Sequence, residues 1–300
     1  MKTTRPAAQP HVSALRVSAL RGAPRGGVDV ASELRRLRPR DRWLIELLAE
    51  HQVLTTEQIA ALGFDHVHTA RNRLVLLQRR GVLARFGDGV RSGSEQWRWT
   101  LDLVGATYLA ARRDQPTPKP AAVRYRINRL AANPNLGHLL GVNGVFVDLA
   151  AHARHTPGAA LGTWWSGRTC RSVVGDLVHP DGHGVWTDAG RSVGFWLEYD
   201  TGEGEPMRRV VSKLDGYASL HRATGLDHTV LLWVATPGRE ASLRRHLSAH
   251  PGITSGALLV ATANGAHDAN PAAPVWLPVG RGGARVRLAD LGAPAQELAA

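Results

Sequence analysis

Asp181, Glu198, Asp200 and Lys213 are the residues whose types and spacing invite chemistry in this sequence. The stretch Gly194-Phe195-Trp196-Leu197 starts an apolar strand, yet Glu198 and Asp200 follow at once. Residues two apart in a strand share a face, and burying unpaired carboxylates is costly. Asp181 lies in a His-Pro-Asp-Gly stretch on the segment before, so a hairpin would bring it alongside Glu198. A carboxylate from each of two adjacent strands can hold Mg2+ for phosphodiester hydrolysis, which makes Asp181 and Glu198 the metal candidates. Lys213 and Tyr217 stand at i and i+4 on the next helical segment. Lys213 could pair with Glu198 or Asp200, or touch a scissile phosphate. The structural alternative is that Glu198 and Asp200 pair with Arg208, Arg209 or Lys213 and pin helix to sheet. His179 and His183 flank Asp181 and could assist a metal, or are exposed turn residues.

A second constellation is built for a polyanion. The segment Val67 to Arg80 carries Arg71, Arg73, Arg79 and Arg80 with no Asp or Glu, whereas a solvated helix face normally mixes signs. In a helix-turn-helix this element enters the major groove. Thr69, Arg71, Asn72 and Arg73 are donors suited to base edges and phosphates. Arg85, Arg91 and Arg98 would place a hairpin wing on the neighbouring backbone. Double-stranded DNA is the partner this pattern implies.

The elements that must position these groups read as two units. Residues 1–37 are rich in Pro, Gly and Arg without apolar periodicity and read as a disordered basic arm. Residues 38–113 read as a winged helix-turn-helix. Trp43, Leu44, Leu47 and Leu48 share the face of a first helix. Thr55 or Thr56 caps a second helix, with Ile59 and Leu62 inward. Ala70, Leu74 and Leu77 face inward from the third, which ends at Gly81. A hairpin over 82–101 and a closing helix follow. Residues 114–123 read as a Pro-rich linker. Residues 124–262 alternate as αβββαβαβ, with strands near Gly162–Cys170, Asp176–Trp186, Ser192–Gly202, Asp227–Pro237 and Gly256–Ala263. Residues 263–300 read as an Ala/Gly/Pro-rich tail. Tryptophans 164, 165, 186, 196 and 233 fall on strands and read as core.

Composition narrows the classes. Thirty-seven basic against twenty-five acidic residues give +12, and 43% hydrophobic content excludes wholesale disorder. The single cysteine, Cys170, excludes an internal disulfide framework and a cysteine zinc cluster, and fits a reducing cytoplasm. No apolar run is long enough for a membrane span. The acid-poor start has the composition of a transit peptide, but that Ala/Arg/Gly-heavy style persists along the whole chain. No Walker-type phosphate loop or serine elbow is present.

The second half resembles the restriction-endonuclease-like superfamily named for its PD-(D/E)xK motif. Pro180-Asp181 and Glu198-Tyr199-Asp200 fall where that pattern expects them, except that Asp200 takes the place of the motif lysine. Some members move that lysine to the next helix, where Lys213 is the candidate. Without it the domain would be a catalytically dead relative. The whole chain, over about residues 38–250, resembles the replication-relaxation family of bacterial plasmids and integrated mobile elements. That resemblance rests on the segments from Leu37 to Leu62 and Arg71 to Arg85, and on Pro180-Asp181, Leu197 to Gly202 and Lys213 to Leu220. It implies a role in plasmid replication or conjugative mobilisation with a relaxase or other transfer protein. A Mg2+-dependent nuclease and a winged-helix transcription regulator are the alternatives.

Overall fold

The computed structural model describes residues 29–87, 96–202, 207–265, 269–281 and 283–294. Helices α1 (Val30–Arg35) and α2 (Pro39–His51), strand β1 (Leu54–Thr55), and helices α3 (Thr56–Gly63) and α4 (Val67–Arg79) come first. Strands β2 (Leu83–Phe86) and β3 (Arg98–Leu101) and helix α5 (Leu103–Arg112) follow. Local chemistry sets several boundaries. The Thr55 hydroxyl accepts from Gln58 N while Gln58 Oε1 accepts from Thr55 N, which satisfies two open donors at the start of α3. Gly81, at φ +67°, turns the chain out of α4 in a conformation that favours glycine.

The three strands pair antiparallel in the order β1-β3-β2. Leu83, Trp99 and Leu101 share a core with Leu44, Ile45, Leu48, Ile59, Ala70, Leu74 and Leu77. Trp43, expected inward, is instead 38% exposed, and Ile45 is buried in its place. The expectation of disorder up to residue 37 also fails at its end. Val30–Arg35 is helical, Asp29 caps it, and Glu33 pairs with Arg80 of α4's end. Residues 1–28 lie outside the described residues.

Helix α6 (Pro120–Ala131) begins inside the Pro-rich segment, where Pro120 occupies the first helical turn that tolerates it. It covers the outer face of the small sheet, Val123 and Ile127 meeting Ala84 and Ala106, and Leu130 meeting Phe86. Helix α7 (Leu136–His155), strand β4 (Ala160–Ser166), helix α8 (Gly167–Val174) and strands β5 (Gly182–Asp188) and β6 (Arg191–Asp200) come next. Then follow α9 (Met207–Thr224), β7 (Thr229–Val234), α10 (Pro237–Leu247), α11 (Pro251–Thr254) and β8 (Val260–Asn264). Short strands β9 (Leu277–Pro278) and β10 (Ala293–Pro294), with a 3-10 turn at Leu288–Leu291 between them, close the order.

The large sheet runs β4-β5-β6-β7-β8-β9, with β10 pairing the start of β6. Strands β4 to β6 are antiparallel, and β6 to β8 are parallel through α9 and α10. Alternation along β6 divides two cores. Val193, Phe195 and Leu197 meet α7 and the C-terminal segment, while Trp196 meets Leu214 and Tyr217 of α9. Two expectations are corrected here. The strand expected through Cys170 ends at Ser166, whose hydroxyl accepts from Thr169 N and starts α8. The C-terminal segment is part of the core, since Trp276, Leu288 and Ala289 are fully buried.

Candidate functional site

The β5–β6 register, Gly182 opposite Leu197, places Asp181 across from Glu198. Asp181 N donates to Leu197 O at 3.0 Å. Its carboxylate Oδ2 accepts from Tyr199 N at 2.9 Å and lies 3.1 Å from His138 Nε2 of α7. Glu198 is buried on the α9 side. Its Oε2 accepts from Lys213 Nζ at 2.6 Å and its Oε1 from the Tyr217 hydroxyl at 2.6 Å. The i, i+4 spacing on α9 presents both donors to one carboxylate. Asp200, one pleat further on, is also buried but belongs to another contact. Its Oδ2 accepts from Arg239 Nε of α10 at 2.8 Å, and its Oδ1 from Gly202 N at 2.7 Å. The fold thus brings Asp181, Glu198 and Lys213 together and draws Asp200 toward α10.

Burial pushes the Glu198 carboxyl up to about 7, and the charge of Asp181 adds to the rise while Lys213 and Tyr217 oppose it. Burial, with Glu198 beside it, holds the Tyr217 hydroxyl well above its ordinary range. The hydrogen bond to Asp181 raises His138 against the opposing effect of burial. Beneath the cluster the Cys170 thiol is buried and pushed up to about 12, which makes it inert as a nucleophile. His183 is not an exposed turn residue. It lies between Trp165 and Trp196, with Nε2 3.2 Å from His228 Nδ1, and burial lowers it to about 3. His179 is exposed.

Among the described residues, no group of three or more His, Cys, Asp and Glu is placed to hold a metal ion. Both Glu198 oxygens already accept from Lys213 and Tyr217. As arranged, the residues do not fit Mg2+. They do fit a lock in which a buried carboxylate on the sheet is held by two donors from α9.

The basic helix α4 divides into two kinds of residue. Thr69, Arg71, Asn72 and Arg79 are exposed, with Asn72 Nδ2 3.0 Å from His68 Nε2. Arg73 instead forms a two-pronged pair with Asp41 of α2, which is buried, and Arg80 pairs with Glu33 of α1. The acids missing from α4 itself are supplied by neighbouring helices. Arg85 lays its guanidinium 4.1 Å from the Trp97 ring centroid, and Arg98 starts β3 half-buried. Arg91 lies outside the described residues. Reasoning from the sequence missed Asp41, Glu33, His138 and Arg239. Asp41, an acid set among Arg38, Arg40 and Arg42, carried a local signal; the others are joined to their partners only by the tertiary fold.

The family model for replication-relaxation matches residues 45–230, a span that holds α4 and the Asp181–Glu198–Lys213 cluster. No curated protein matches the chain.

Proposed function

Because the chain belongs to the replication-relaxation family, we propose that it binds double-stranded DNA in the replication and mobilisation of a plasmid or mobile element. Residues 38–113 serve as a winged helix-turn-helix, with α4 as the recognition element. The observation that carries this is the solvent face of α4, which offers Thr69, Arg71, Asn72 and Arg79 and no carboxylate. Short and forked donors at successive exposed positions suit base edges, and Arg79 suits a phosphate. Residues 124–262, with the fold of the restriction-endonuclease-like superfamily, position that reader and dock a relaxase or other transfer protein. Footprinting on plasmid DNA tests it: protection near an origin of replication or transfer is expected. Protection confined to a promoter would mark a transcription regulator instead, and no protection would contradict both.

A Mg2+-dependent nuclease is the alternative: Asp181 and Glu198 stand on adjacent strands with Lys213 in reach, and a metal there requires Glu198 to be released from Lys213 and Tyr217. Cleavage of supercoiled plasmid only with Mg2+, lost in Asp181→Asn, would establish it.

A further inference from the structure

A cavity of about 710 Å3 lies between α2, β3, α5, α6 and α8, and no residue of α4 lines it. Its size falls in the range that holds small ligands. Leu48, Leu101, Leu109 and Leu130 contribute its apolar wall, and Arg113, Arg126, Arg129 and Arg168 its cationic side. No Asp or Glu lines it. Two of the arginines are already engaged: Arg113 pairs with Glu46, and Arg168 donates to Ala49 O at 2.7 Å and lies 3.8 Å from Glu50. Arg126 makes a long contact of 3.5 Å to Leu101 O, and Arg129 has no ion-pair partner among the described residues. Tyr125, beside them on α6, is 69% exposed and lines the same cavity. Helix α6 carries Arg124, Arg126 and Arg129 with no acidic residue. Burial disfavours the charged form of Arg126, Asp102 opposes it, and Arg168 adds a smaller push in the same direction as burial. Clustered guanidinium groups repel one another, and an anion relieves that repulsion.

We propose that this cavity binds a nucleoside phosphate, its phosphates on Arg126 and Arg129 and its base against Tyr125 and the apolar wall. Guanidinium groups match phosphate oxygens in two-pronged fashion, and an exposed aromatic ring beside cations is the usual platform for an unstacked base. The same chemistry comes from a free nucleotide or from one unit of a single DNA strand. The site is separate from α4 and does not depend on duplex recognition there.

The test uses the full chain, with a fluorescent oligothymidylate of about ten nucleotides read by anisotropy and ATP read by calorimetry. Saturable binding of at least one probe is expected. Arg126→Gln/Arg129→Gln should weaken it by about tenfold or more, and Tyr125→Ala by about tenfold. Arg222→Gln/Arg245→Gln removes the same charge from exposed positions on α9 and α10 and should leave affinity within about twofold at physiological salt. ATP binding that also displaces the strand assigns the site to nucleotides in both forms, and strand binding that ATP does not displace assigns it to single-stranded DNA. Failure of both probes to bind would overturn the proposal. So would equal losses in the two double variants, or inorganic phosphate competing as well as ATP. Should the double variant melt early, Tyr125→Ala decides alone, since its side chain is exposed.

Discussion

Glu198 is a carboxyl that the fold keeps dry, and that sets a pH dependence. Its folded value of about 7 stands above the ordinary 4.5, so the native state holds the proton more tightly than the unfolded chain. Its contribution to stability is fully present below pH 4.5 and is lost as pH rises through 7. Glu198→Gln should therefore flatten the decline in melting temperature between pH 4.5 and 7 relative to wild type; an identical profile would exclude Glu198 as its source. Lys213→Met leaves the buried carboxylate with Tyr217 alone and should destabilise by roughly 3 kcal/mol at pH 8. For a structural lock, Mn2+ should leave the melting temperature unchanged, whereas a bound metal would raise it by mass action. Arg73→Ala strands buried Asp41 and should also destabilise by roughly 3 kcal/mol, while Arg71→Ala should stay within about 0.5 kcal/mol. At this scale, legibility followed distance along the chain. Asp181, Glu198 and Lys213 could be grouped from a hairpin and a helical repeat. Arg73 reaches Asp41 across 32 residues and Asp200 reaches Arg239 across 39, and no local periodicity encodes such pairs.

Elements with their own start and stop signals were readable, and those defined by packing were not. The cap at Thr55, the inward face of Ala70, Leu74 and Leu77, and the turn at Gly81 all follow from neighbours within four residues. Helix α6 is hidden in the sequence because three nearby prolines signal a linker, although the last of them, Pro120, serves as a helix start. Helix α8 reads as strand in the sequence because Trp164-Trp165 lead into it, and only the Ser166 cap marks its start. The C-terminal segment looked like a tail because Ala, Gly and Pro dominate it. Its few large side chains nonetheless fill the core on the α7 side of the large sheet. Trp276 is fully buried there and donates from Nε1 to Pro271 O at 2.7 Å. Trp276→Ala should cost about 3–5 kcal/mol, measured by denaturant unfolding. A loss under about 1 kcal/mol would return that segment to the status of an appendage.

Across the whole molecule, the first and second halves are joined by more than the chain. Asn143 of α7 donates to the carbonyls of His51 and Val53 at 3.1 and 2.9 Å, and the His51 ring stacks 3.7 Å from Trp164 of β4. Glu50 of α2 accepts from Ser166 N at 2.9 Å and from the hydroxyls of Ser166 and Thr169. Such buried polar contacts couple the first half to the large sheet, so thermal unfolding should show one transition; two well-separated transitions would show independent halves. The net charge of +12 supplies a general attraction to phosphates, which the proposed recognition by α4 would have to exceed.

The central claim, that the solvent face of α4 reads DNA, is tested most directly by duplex affinity as a function of salt. Wild type, Arg71→Ala and Arg79→Ala should be compared on the footprinted site. Arg71→Ala should lose about 1–3 kcal/mol and discriminate less between the site and unrelated duplex. Arg79→Ala should weaken both duplexes alike and reduce the slope of log K against log salt by about one. Unchanged affinity, discrimination and slope in both variants would contradict the assignment of α4 as the recognition helix.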